Sequence, residues 1–169
     1  MAGWAIPAEI ALINLYSKGV KHMHKVRSIL VLFLLSLMHA GVAHAQWVQT
    51  NGPYGGMIIS FAVSGTNLFA GTDSGGVFLS TNNGTSWTVV NNGLTNTDVY
   101  ALAVSGTNLF AGTGGGVFLS TNNGTSWTEV NNGLTNTHVY TLAVSGTNLF
   151  AGTLGGGVWR RPAVVRDDH

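Results

Sequence analysis

The stretch Ala62-Val-Ser-Gly-Thr-Asn-Leu-Phe-Ala-Gly-Thr72 recurs without a change at Ala103–Thr113 and again at Ala143–Thr153. A second block, Val77–Thr88, returns as Val117–Thr128, and a third, Asn91–Thr97, returns as Asn131–Thr137. Successive copies stand 40 or 41 residues apart. Each copy is a set of short runs rich in Val, Leu, Phe, Tyr and Thr, separated by Gly and Asn that supply positive φ and turn-stabilising side chains. Apolar residues nowhere recur at i, i+3, i+4 and i+7, and a Gly or Asn interrupts each window before a helix could nucleate.

A period of about 40 to 45 residues built from four short strands is the unit of a β-propeller blade. Within the second copy the pattern predicts strands at Val99–Ser105, Leu109–Thr113 and Val117–Thr121, with a fourth starting near Trp127. Trp47, Trp87 and Trp127 lie 40 residues apart, and Gly52, Gly93 and Gly133 keep the same phase. The repeat region, residues 46–161, is therefore expected to open with a fourth-type strand at 46–52 and to continue through units 58–93, 98–133 and 138–161, the last ending after its third strand. The fold class is all-β, in blades of four antiparallel strands, about three of them in this chain. Closed propellers usually hold about 4 to 8 blades. The ring is thus incomplete, or it is completed by a second copy in a six-bladed homodimer, with the Trp47 strand of each chain finishing the Val158-Trp159 blade of the other.

Ser80-Thr-Asn82-Asn-Gly84-Thr-Ser86-Trp87 and Ser120-Thr-Asn122-Asn-Gly124-Thr-Ser126-Trp127 resemble the Asp-box, or bacterial neuraminidase repeat, of pattern Ser-x-Asp-x-Gly-x-Thr-Trp. The resemblance extends to sialidase-like and photosystem-assembly-factor-like propeller repeat proteins of bacteria. It implies that these residues form a structural hairpin between the third and fourth strands, at the blade edge and away from the usual ligand face. Asn82 and Asn122 stand where the family has Asp. Asparagine keeps the side-chain carbonyl that accepts turn amides and tolerates left-handed backbone, so the turn is expected to survive. Trp87 and Trp127 are expected to pack between neighbouring blades in equal structural roles.

Sialidase chemistry, which the resemblance raises, needs a cluster of arginines to grip a carboxylate. No Lys or Arg occurs from Val48 to Trp159, so neither that clamp nor a phosphate-tracking nucleic-acid surface is expected. No catalytic residue, and hence no enzyme, is predicted. The chain has no cysteine, and of its six histidines only His138 and His169 follow Gln46. No metal site and no cofactor are expected. Where the copies differ, Asp73-Ser74 stands against Gly114 and Asp98 against His138. In a propeller the connections between second and third strands and between successive blades share one rim, opposite the Asp-box turns. Asp73, Asp98 and His138 are the candidate binding residues of that rim.

Upstream, Met-His-Lys-Val-Arg from Met23, an apolar run from Ile29, and Ala43-His44-Ala45 carry the three parts of a secretory leader. Residues 23–45 are read as that signal, cleaved before Gln46. Residues 1–22 are an upstream extension or a mis-assigned start, and 162–169 a tail unrelated to the repeat. The apolar run is shorter than the roughly 20 residues of a spanning helix, so no stable membrane insertion follows cleavage. The predicted product is exported to the periplasm, cell surface or medium. It is a non-catalytic propeller repeat protein that binds or scaffolds a protein or glycan. The alternatives are a remnant of a sialidase-like glycoside hydrolase and a truncated propeller without independent activity.

Overall fold

Alternating apolar runs closed by tight Gly-containing turns can bury their faces only by stacking sheet on sheet, and the computed structural model has that form. It describes residues 12, 16–23 and 45–163. Two compact units are distinguished, Met1–Trp47 and Val48–His169. In the first, residues 16–23 are helical, and no helix among the described residues is long and apolar enough to cross a membrane. The expected leader, apart from Met23 and Ala45, lies outside the described residues, as does the tail beyond Ala163.

The second unit is all-β. Its first sheet runs β1 (Ile58–Ser64), β2 (Asn67–Thr72), β3 (Gly76–Ser80) and β4 (Thr88–Val89), each hydrogen-bonded to the next. The second sheet repeats this order with β5 (Val99–Ser105), β6 (Asn108–Thr113), β7 (Gly116–Ser120) and β8 (Thr128–Glu129). The third holds β9 (Val139–Ser145), β10 (Asn148–Thr153) and β11 (Gly157–Pro162). All pairings are antiparallel and keep one register: Ala62 faces Phe69, Ala103 faces Phe110, and Ala143 faces Phe150. The strands expected at 99–105, 109–113 and 117–121 form within one residue of those bounds.

Stacking is close because the invariant Ala-Gly-Thr segment admits it. A Cβ on Gly71 would lie 2.7 Å from Val99 Cγ1, and one on Gly112 would lie 2.8 Å from Val139 Cγ1. Between the first two sheets Phe69, Val77 and Leu94 meet Leu102, Leu109, Ala111, Phe118 and Trp127. Between the second and third, Phe110, Val117 and Leu119 meet Val139, Leu149 and Ala151. The middle sheet is thus covered on both faces and β7 is buried throughout. The outer faces of the first and third sheets are not: Phe61 is 58%, Val63 62% and Val158 76% exposed.

Two polar contacts fix the fourth strands. Asn91 Oδ1 accepts from Val77 N at 2.7 Å while its Nδ2 donates to Gly75 O at 2.9 Å, and Asn131 does the same to Val117 N and Gly115 O at 2.7 and 3.0 Å. Trp127 is 4% exposed, and its indole Nε1 donates to Val90 O at 2.7 Å across the sheet junction.

Two expectations are corrected. Residues 46–52 form no strand; the two-residue fourth strands exist only by pairing with a third strand, as Leu79 with Thr88 and Leu119 with Thr128, and none of this chain lies alongside that segment. Trp87 and Trp127 are also unequal, because Trp87 is half-buried and its Nε1 is shielded from solvent without a hydrogen-bond partner.

Truncating a buried aromatic costs about 3 to 5 kcal/mol. Trp127→Ala is expected to lose stability in that range, and Trp87→Ala less than half as much, when denaturant midpoints are compared at constant slope.

Candidate functional site

The two Ser-x-Asn-x-Gly hairpins are hydrogen-bonded within themselves. Ser80 Oγ donates to Asn82 Oδ1 at 3.0 Å and accepts from Gly84 N at 2.8 Å. Asn82 Oδ1 also accepts from Ser86 N at 2.9 Å, and its Nδ2 donates to Ser86 Oγ at 2.8 Å. Ser120, Asn122, Gly124 and Ser126 repeat the same four bonds within 0.1 Å. Asn83 and Asn123 both take φ 56°, the left-handed region that asparagine tolerates. The asparagine side-chain amide suits this turn. Its carbonyl accepts the turn amide as a carboxylate would, and its NH2 donates to the serine hydroxyl, which a carboxylate cannot do.

The opposite rim carries the divergent residues. Asp98 Oδ1 accepts from Ser74 N at 3.2 Å, and Asp73 Oδ1 accepts from Ser74 Oγ at 3.2 Å, so the loop after β2 and the loop before β5 bring both carboxylates onto one serine. Asp98 is itself held by a turn, its N donating to Asn96 Oδ1 at 3.0 Å, and His138 copies that turn through Asn136 at 3.1 Å. Among the described residues no group of three His, Cys, Asp or Glu is placed to hold a metal ion.

Sequence reasoning missed the aromatic part of this rim. The pairing of the innermost strand slips between Val99 and Ala101 in the second sheet and between Val139 and Thr141 in the third, leaving Tyr100 and Tyr140 as bulged, unpaired residues. Bulges re-aim a side chain out of the pleat, and here the two rings stack at 4.8 Å between centroids with 18° between planes. The His138 ring lies 6.5 Å from Tyr140, and Tyr140 is 47% exposed. Ile59 occupies the same bulge in the first sheet. The signal in the sequence was a Tyr at one repeat position in two copies and an Ile in the other, which strand composition had absorbed as ordinary β residues.

Burial raises the Tyr100 phenol above its ordinary value, and the charges of Asp98, Tyr140 and Asp73 raise it further. The rim is therefore an aromatic shelf with hydrogen-bond acceptors on one side and an imidazole on the other. Such a shelf can stack the flat apolar face of a ligand and bind its hydroxyl or amide groups at the edge.

No protein-family model matches the chain, and no curated protein matches it. Solved structures do. An ancestral GH74 enzyme is 26% identical with a TM-score of 0.52, over 66% of this chain and 15% of the enzyme. The extracellular domain of a putative one-component system from B. thetaiotaomicron is 20% identical with a TM-score of 0.51, over 62% of this chain and 15% of that one. Both have β-propeller-type folds, and the chain spans about 15% of the length of either.

A phenol whose folded pKa exceeds the unfolded value of about 10 contributes stability that is fully present below that value and lost as pH rises through the folded one. Phenolate absorbance should place one tyrosine above the ordinary range, and Asp98→Asn should move it back down, since the Asp98 charge is one of its causes.

Proposed function

We propose that the chain is an exported, non-catalytic propeller module of the Asp-box repeat class that binds a glycan on its Tyr100–Tyr140 rim. The observation that carries this reading is the stack of two bulged tyrosines beside Asp73, Asp98 and His138. Aromatic faces take the apolar faces of sugar rings, and adjacent carboxylates accept their hydroxyls. The self-satisfied hairpins around Ser80, Asn82, Ser120 and Asn122 serve as structural clips and leave the opposite rim to carry ligand.

A non-catalytic role is supported by the chemistry available. Carboxylate-pair hydrolysis requires one acid free to give a proton and another free to attack or activate water. Asp98 is instead committed to a backbone amide, and no arginine precedes Arg160 in the repeats. Resemblance to a GH74 enzyme favours a second reading, in which these sheets are part of a glycoside hydrolase scaffold whose catalytic groups lie in sheets not represented in this chain.

Two outcomes are expected. Amino-terminal sequencing of protein recovered outside the cytoplasm should begin at Gln46, and recovery of a chain that retains Met1 or Met23 would remove the export reading. On a polysaccharide array the full chain should retain a glycan that Tyr140→Ala loses by at least about tenfold with its circular dichroism unchanged. Binding indifferent to Tyr140, or retention of proteins but no glycan, would refute the rim assignment.

A further inference from the structure

The two sheet junctions of this chain are not alike. At the first, Trp127 of the second sheet seats its backbone against Gly93, and its backbone N donates to Asn92 O at 2.9 Å. Its indole reaches Val90 O and packs among Leu94, Leu109 and Phe118. At the second junction the corresponding residues are Val130, Gly133, Leu134, Leu149 and Trp159, and they line a cavity of about 150 Å³. A Cβ on Gly133 would meet nothing within 4 Å, whereas one on Gly93 would collide with the Trp127 carbonyl. The second junction is a tryptophan socket without its tryptophan.

A second difference is independent of the first. Gly76 and Gly116 are each covered by the asparagine, Asn91 or Asn131, that clamps its sheet's third strand, whereas a Cβ on Gly157 would meet nothing within 4 Å. The third sheet thus lacks both the tryptophan and the asparagine of a fourth strand. In the first two sheets these residues are spaced Trp87–Asn91 and Trp127–Asn131, and the chain carries one more pair at that spacing, Trp47 and Asn51.

Part of that segment already stands against the first sheet, without forming a strand there. Thr50 lies 3.1 Å from the Cβ position of Gly84, as Val90 lies 3.0 Å from that of Gly124. Val48–Asn51 therefore stands in front of the first sheet as the end of the first sheet stands in front of the second. Trp47 is fully exposed and Asn51 is engaged only locally, its Oδ1 accepting from Tyr54 Oη at 3.3 Å. The apolar face around Phe61 and Val63 is the copy of the one that Leu102 and Val104 bury against the first sheet.

We infer that two copies of this chain join head to tail, residues 46–52 of each forming the fourth strand of the other's third sheet, with Trp47 in the socket at Val130 and Leu134 and Asn51 on Val158 N and Gly156 O. The contact repeats twice about a two-fold axis. It sets the three sheets of one copy against the three of the other and covers the Phe61 and Val158 faces together. It leaves the Tyr100–Tyr140 rim free and does not depend on what that rim binds.

The register gives the test. Leu79 pairs with Thr88 and Leu119 with Thr128, so Arg160 should pair with Val48 of the second copy. The chain has no cysteine, and directly opposed strand residues bring Cβ atoms to about 4.5 to 5.5 Å, close to disulfide reach. Mild oxidation of the full-length V48C/R160C chain should give a covalent two-copy species, and a mixture of V48C with R160C should give the heterodimer in preference to either homodimer. A disulfide within one copy, a ladder of higher oligomers, or no disulfide would overturn the inference. Should the double variant fail to fold, light scattering on the unaltered chain decides, and a monomeric mass rejects the dimer. Trp47→Ala should weaken association by at least about 30-fold, as expected for a buried aromatic anchor; an unchanged dissociation constant would place Trp47 outside the contact.

Discussion

The contact on which the structure turns is the indole of Trp127 crossing from one sheet to a carbonyl of the sheet before it. A sheet of four short strands, the last only two residues long, has little stability alone. It gains stability when both faces are covered, and the tryptophan ties the weakest strand of one sheet to the chain leaving its neighbour. Steric closeness does the rest. The glycine in each Ala-Gly-Thr segment lets the following sheet's valine approach to a distance that no side chain would permit, so core density and sequence identity of the copies follow from one another.

Because each sheet presents a leading and a trailing face of different shape, stacking has a direction. The middle sheet satisfies both faces, while the outer two each satisfy one. The orphaned Trp87 indole nitrogen and the exposed Phe61 and Val158 side chains lie at those outer faces. Arg161 donates to Val130 O at 2.6 Å, at the carbonyl corresponding to the one Trp127 reaches in the first junction. A carbonyl has two lone pairs, so this bond leaves room for an indole donor as well. The rim, by contrast, lies at the turns, where side chains are free of packing demands. There the bulged tyrosines and the acids of the loops diverge between copies while the β2, β6 and β10 sequences do not change at all.

The fold was legible because the repeats are nearly identical: period, turn residues and tryptophan phase led to strand bounds within a residue of those observed. What stayed hidden was whatever depends on a neighbour. Residues 46–52 have the composition of a fourth strand but no third strand of this chain beside them, and Trp87 has the sequence of Trp127 without a preceding sheet to accept its N–H. In the rim, the loops carry Asp73, Asp98 and His138 to one end of the sheets, and the tyrosines beside them were not anticipated. Their position depends on a one-residue bulge, and a bulge shifts register without leaving a mark in composition.

The most direct measurement is hydrogen exchange at the Trp127 indole, followed by NMR on the folded chain. If the junction bond holds the sheets together, this N–H opens only with global unfolding and exchanges as slowly as the most protected amides of β6 and β7. Exchange as fast as at the exposed Gly106–Thr107 turn would show that the sheets separate without unfolding, and would contradict the account.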